Sequence, residues 1–138
     1  MINQISLTVM HEVLAVCRFE PGSKIPSWTR SGETRSGAPF NSITYTKDEI
    51  SVVMTQQSIP NNLTNCERGW RAIRVDGKLD FSLCGIISSL LDRLSKVSVS
   101  VFVLSTYDTD YILVKEQQLD TAIKNLREIC PVKEENCL

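Results

Sequence analysis

The chain has 138 residues, a formal net charge of −1, 42% hydrophobic residues and 22% charged residues. That is one ordinary domain or two very small ones, with enough apolar mass for a real core. Lys and Arg are scattered with no basic stripe, which argues against nucleic acid as a partner, and no apolar run approaches the roughly 18 residues of a membrane helix. The opening MINQISLTVMHEV lacks the cationic and small-residue features of a secretory signal, so a cytoplasmic protein is expected.

In the first half, Ile5 to Met10 and Glu12 to Phe19 read as strands. His11, between them, is the one histidine; it has no evident acid–base partner and is read as structural. GSKIPSW is broken by Pro26 and leaves room for one or two helical turns. Phe40 to Thr46 and Ile50 to Thr55 read as strands joined by Lys47-Asp48-Glu49, giving an order β-β-α-β-β with no clear second helix. IPNNLTNCERG, residues 59 to 69, is rich in turn formers and marks a seam. We therefore expect two modules, residues 1–65 and 66–138. Few residues match between the halves, so sequence alone does not establish a repeat. The sequon Asn62-Leu63-Thr64 has meaning only on the secretory route.

The second half has stronger signals. Trp70 to Val75 alternates as a strand and ends at Asp76-Gly77. Apolar residues Leu83, Ile86, Ile87, Leu90, Leu91 and Leu94 fall on one face of an amphipathic helix, with Ser82 able to cap its free amides. Val97 to Leu104 is β-branched and apolar and reads as a buried strand, with Tyr111 to Val114 as its hairpin partner. Leu119, Ala122, Ile123, Leu126 and Ile129 share one face of a second helix, Glu116 to Ile129, which Pro131 stops. Val132-Lys133 is long enough for a stub of strand. The order β-α-β-β-α-β is the ferredoxin-like unit, an antiparallel sheet with two helices on one face. The expected class is α+β: two tandem ferredoxin-like modules, the first abridged. The expected core positions are Leu83, Ile87, Leu90, Leu91, Leu94, Val101, Val103, Ile112, Leu113, Leu119, Ile123 and Leu126.

The five cysteines, Cys17, Cys66, Cys84, Cys130 and Cys137, include no CxxC pair. With a single histidine they make no zinc set, and reduced thiols are expected. No cofactor motif, nucleophile elbow or phosphate loop is present. Paired acids without a histidine or metal partner make a thin case for an enzyme.

FSLCGIISSLLDRL followed by VSVFVLSTYDTDYILVKEQQL resembles the ACT domain, a small regulatory module that binds amino acids. The nearer resemblance is to small bacterial proteins of two ACT modules, which are similar to the cytosolic arginine-sensor family. HEVLAVCRF, IPSW, FNSITYTKDEISVV and GWRAIRVDG also look like that group, so the resemblance covers nearly the whole chain. It implies a ligand held where two modules meet, beside the glycine loop before the first helix, here Phe81 to Ile86. It also implies that the loop Ser105 to Asp110 faces the ligand, with Asp110 as the acid and Tyr107 as the aromatic. Cys84 departs from the small hydroxyl residue expected at its position.

On this reading Gly85, Ile86, Ser98, Val99, Thr106, Tyr107 and Asp110 form a site for a free amino acid. The start of a helix suits a carboxylate, glycine allows close approach, and Asp110 would face the ammonium. Each residue also has a plain alternative. Asp108 and Asp110 are favoured turn residues. Gly85 can serve close packing, Ser98 can be merely solvated, and Cys84 can be a small packed side chain rather than a reactive thiol. Trp28 and Trp70 fit burial between modules better than ligand platforms. The expected function is a non-catalytic regulatory sensor and a homodimer, whose four modules would cover its sheet edges. The alternative is a structural or interaction module that keeps the fold without a ligand.

Overall fold

The computed structural model describes residues 5–30, 40–76 and 85–135. The two strands expected at the start are one: β1 runs Leu7–Phe19 through His11 without a break. Residues 7–10 are all buried, and the exposed His11 interrupts that burial without breaking the strand. Then follow β2 (Asn41–Tyr45), β3 (Ile50–Thr55), β4 (Cys66–Val75), α1 (Ile86–Ser95), β5 (Val101–Ser105), β6 (Asp110–Lys115), α2 (Leu119–Leu126) and β7 (Val132–Glu134). Short 3₁₀ turns lie at Ser27–Arg30, Gln56–Ser58 and Glu116–Gln118. The first is all that Pro26 leaves of a helix, and the last replaces the opening turn expected of the second helix.

By packing, the chain forms two compact units, Met1–Glu12 with Arg71–Leu138, and Val13–Trp70. β1 and β4 contribute to both. In the first, C-terminal unit the order β4-α1-β5-β6-α2-β7 is the expected one. Its strands lie in the order β7-β1-β4-β6-β5. The opening of β1 is thus inserted beside β4, and β7 pairs with it in parallel, Leu7 opposite Val132. Residues 1–12 group here rather than with the first half because Ile5, Leu7 and Val9 are part of this unit's core. That core joins them to Ile73 and Val75 of β4, Leu90 and Leu94 of α1, Ile112 and Val114 of β6, and Leu119, Ala122, Ile123 and Leu126 of α2.

Four core expectations change. Ile87, Leu91 and Val101 are only partly buried, packed against the core's margin. Val103 is 39% exposed. The β5 stretch is not a buried strand: among the described strands of its unit it is the outermost, beside β6. Leu83 lies outside the described residues.

In the second, N-terminal unit, β2-β3-β1 form antiparallel pairs over a core of Ala15, Cys17, Ile50, Val52, Met54 and Ile59. Its hairpin repeats that of the other unit at a spacing of sixty residues. Tyr45 opposes Ile50 as Ser105 opposes Asp110, and a 3₁₀ turn follows at Gln56 as at Glu116. Register exposes matches too sparse to claim from sequence: Thr46/Thr106, Asp48/Asp108, Val52/Ile112, Gln57/Gln117 and Ile59/Leu119. The two segments differ where Pro60 follows Ile59, whereas Asp120 follows Leu119 and α2 continues.

Candidate functional site

At one end of the C-terminal unit, β4 finishes at Val75-Asp76 and the β5–β6 hairpin turns over at Thr106–Thr109. They are joined by a buried threonine: Thr109 Oγ1 donates to the Val75 carbonyl at 2.6 Å. The turn closes tightly, with the Thr106 amide on the Thr109 carbonyl at 2.8 Å and the Thr109 amide on Thr106 Oγ1 at 3.3 Å. This leaves a two-residue tip, Tyr107-Asp108, with Tyr107 84% exposed. Neither tip residue has positive φ, so this is not the primed turn that Asn-Gly favours. The threonine hydroxyl supplies the closure instead. Asp110 stands just below the tip, half-buried, its Oδ1 accepting from Ser105 Oγ at 2.6 Å.

β4 leads through residues outside the described set to Gly85, the N-cap of α1. Gly85 has φ 88°, a left-handed conformation that disfavours other residues, and a Cβ there would meet nothing within 4 Å. The Gly85 carbonyl accepts the first helical bond, from Ser89 at 2.9 Å. The amides of Ile86, Ile87 and Ser88 therefore have no acceptor within the helix. Ile86 packs against the core. Phe81, Ser82 and Cys84, also singled out by sequence, fall outside the described residues.

Ser98 and Val99 do not join this group within one chain. They follow the C-terminus of α1, a ten-residue helix spanning about 15 Å. Ser98 takes φ 59°, and its carbonyl accepts from Gln118 Nε2 at 3.2 Å. Val99 is 6% exposed and belongs to the core, so its side chain is closed to a ligand.

Two polar anchors escape the sequence reading. Asp76 is no simple turn residue: it accepts from Ser6 Oγ at 3.0 Å, from Thr8 Oγ1 at 2.8–2.9 Å and from Arg74 Nε at 3.2 Å. It ties β1 to β4 beside Val75. Thr109 is the other. Its only signal is that it alternates out of phase with Asp108 and Asp110.

His11, which showed no acid–base partner in sequence, has one in Glu135. Its Nδ1 lies 2.8 Å from Glu135 Oε2, and its amide donates to the same oxygen at 3.0 Å. Those bonds, the backbone amide first, hold the Glu135 carboxyl below its ordinary pKa. Trp28 is partly buried and packs against the N-terminal unit's own core, 6.1 Å from the Phe19 ring. A surface cavity of about 470 Å³ in that unit is lined by Ser23, Lys24, Ile25, Ser27 and Tyr45, none of them an expected ligand residue. Among the described residues no group of His, Cys, Asp and Glu could hold a metal ion, and no helix is long and apolar enough to cross a membrane.

Residues 65–128 match the family model of the ACT domain. This segment is ACT-like. A second model, of an N-terminal domain, matches residues 12–62. Over 111 residues the chain is 32% identical to the cytosolic arginine sensor for mTORC1 subunit 1 of Rattus norvegicus, covering 75% of this chain and 34% of the sensor. The chain thus spans about a third of the length of the curated relatives it matches. Among solved structures, a protein from Agobacterium tumefaciens is 28% identical with a TM-score of 0.84, covering 99% of this chain and 97% of that one. The aspartate kinase of Clostridium acetobutylicum is 15% identical with a TM-score of 0.60, covering 85% of this chain and 33% of the kinase. That last likeness concerns the fold alone. The ACT-like segment contains the end of β4, the start of α1 and the β5–β6 hairpin.

Proposed function

We propose that this protein is a non-catalytic, cytoplasmic regulatory sensor built of two ACT-like modules, the first abridged, that binds a free amino acid. The observation that carries this is the placement of Asp110. Its carboxylate stands one residue below a tip already closed by Thr106 and Thr109, at a position where the sister hairpin has the buried Ile50. The turn does not need an acid there, so the acid is available for a cation.

The ligand's ammonium meets Asp110, with Tyr107 and Thr106 beside it. Its carboxylate meets the amides that open α1 at Gly85 and Ile86, where the helix dipole favours negative charge. Ser98 and Val99, remote along α1, join the site only when a second copy supplies them, Val99 through its backbone. A symmetric homodimer therefore completes the site. The arginine-sensor relatives support the ligand class by name.

A thermal-shift screen of the twenty amino acids is the test. A binder gains RT ln(1 + [L]/Kd), about 2.7 kcal/mol at a hundredfold excess over Kd. No stabilisation by any amino acid would leave the chain as a structural module. Sedimentation at micromolar concentration should show a dimer; a monomer of 15.5 kDa would remove the second copy.

A further inference from the structure

Within the N-terminal unit, Cys17 of β1 and Cys66 of β4 have their sulfurs 3.1 Å apart. Strand register puts them there. β1 and β4 are sheet neighbours, and the Arg18 amide donates to the Asn65 carbonyl at 3.0 Å. In an antiparallel ladder that bond leaves Cys17 and Cys66 directly opposed at a non-hydrogen-bonded position, where Cα atoms are about 4.5 Å apart. A disulfide spans Cα separations of roughly 4.4–6.8 Å. Cys17 is 1% exposed and belongs to the unit's core, whereas Cys66 is half-buried at its margin. Cys66 is thus the more accessible of the two cysteines.

We propose that Cys17 and Cys66 are an oxidative modification site: a low-molecular-weight disulfide converts them reversibly into an intramolecular disulfide that clamps β1 to β4. The Cys66 thiolate attacks one sulfur of the reagent RSSR, forming a mixed disulfide and releasing RS⁻. Cys17 then loses its proton to solvent and attacks the Cys66 sulfur, expelling the second RS⁻. The two thiols together give up two electrons and two protons, and RSSR leaves as two RSH. Burial first, and the hydrogen bond with Cys66 second, push the Cys17 thiol up to about 12. Cys66 is therefore the point of entry. Closure draws on a small thiolate fraction that rises about tenfold per pH unit below that value.

The test is to incubate the full chain with oxidised glutathione, quench with an alkylating agent, and map peptides without reduction. The expected product links the Cys17 and Cys66 peptides, loses two hydrogens in intact mass, reverts with dithiothreitol, and forms faster at pH 9 than at pH 7. Cys17→Ser should stop at the mixed disulfide, with one glutathione on Cys66. Cys66→Ser, at a half-buried site, should leave Cys17 unlinked and decides the matter even where the buried variant does not fold. Absence of the 17–66 link in wild type, or its replacement by links to Cys84, Cys130 or Cys137, would overturn the proposal.

Discussion

The β2–β3 and β5–β6 hairpins are two versions of one device. In each, a threonine amide bonds the carbonyl three residues on, at 2.9 Å for Thr46 to Glu49 and 2.8 Å for Thr106 to Thr109. In each, the threonine hydroxyl receives an amide from the far side of the turn. In each, an aspartate, Asp48 or Asp108, occupies the second tip position. They differ at the flanking pair, Tyr45 with Ile50 against Ser105 with Asp110. They differ also at the last turn residue, where Glu49 stands against a buried Thr109 bonded to Val75. An acid at the tip is turn chemistry common to both hairpins. An acid at position 110 is not, because the same turn closes over Ile50. The comparison separates two aspartates that sequence presents side by side.

The deepest test of the pairing is packing. Val52 and Ile112 are equivalent and fully buried. Ile112→Ala should cost about 2–5 kcal/mol, and Val52→Ala less, about 1.5–3 kcal/mol, read from urea midpoints. A neutral Val52→Ala would show that the N-terminal hairpin is not a packed counterpart and break the comparison.

Next is Asp110. A hydrogen bond to a charged group contributes roughly 1.5–3 kcal/mol, so Asp110→Asn should weaken amino-acid binding about tenfold or more, measured by titration with whatever ligand the screen finds. Asp110→Ile, which installs the sister hairpin's residue, should abolish binding and still fold. Unchanged affinity in Asp110→Asn would take this carboxylate out of the site.

Much of this architecture is legible in sequence. Helical spacing of Leu90, Leu94, Leu119, Ile123 and Leu126 finds both helices and their buried faces, and Ile50–Thr55 is read to the residue. The failures have physical causes. The insertion of β1 beside β4 is a long-range pairing with no local signal. Val103 looks like core because β-branched residues suit edge strands and central strands alike. The bonds of Asp76 reach across nearly seventy residues to Ser6 and Thr8, so a turn is all that local pattern can suggest. Of the candidate site, the acid at 110 and the glycine at 85 are visible as residue types. That Ser98 lies at the other end of α1 follows only once the helix has bounds.

Turn closure should show a smaller effect, equal in the two hairpins. Thr46→Val and Thr106→Val each remove a hydroxyl that holds the tip. Each should cost about 0.5–1.5 kcal/mol, the net worth of a typical hydrogen bond. Thr109→Val should exceed both, because it strands the Val75 carbonyl and has no parallel at Glu49.

The smallest expected effect decides what the second acid of STYDTD does. Asp48 and Asp108 are both exposed at tips, and the Asp48 amide already rests on Thr46 Oγ1 at 3.1 Å. Surface substitutions away from special features stay within about 0.5 kcal/mol. Asp48→Asn and Asp108→Asn should therefore match each other on stability within that range, since Asn serves in turns much as Asp does. If Asp108 is only a turn residue, Asp108→Asn should also leave ligand affinity within about threefold of wild type, while Asp110→Asn does not. A loss at Asp108 comparable to that at Asp110, with Asp48→Asn still silent, would mean that both acids of the C-terminal tip face the ligand. A carboxylate pair of that kind suits a basic side chain in addition to an ammonium, so the same result would narrow the ligand to a cationic amino acid. The screen can check this by ranking arginine and lysine against neutral amino acids of similar size.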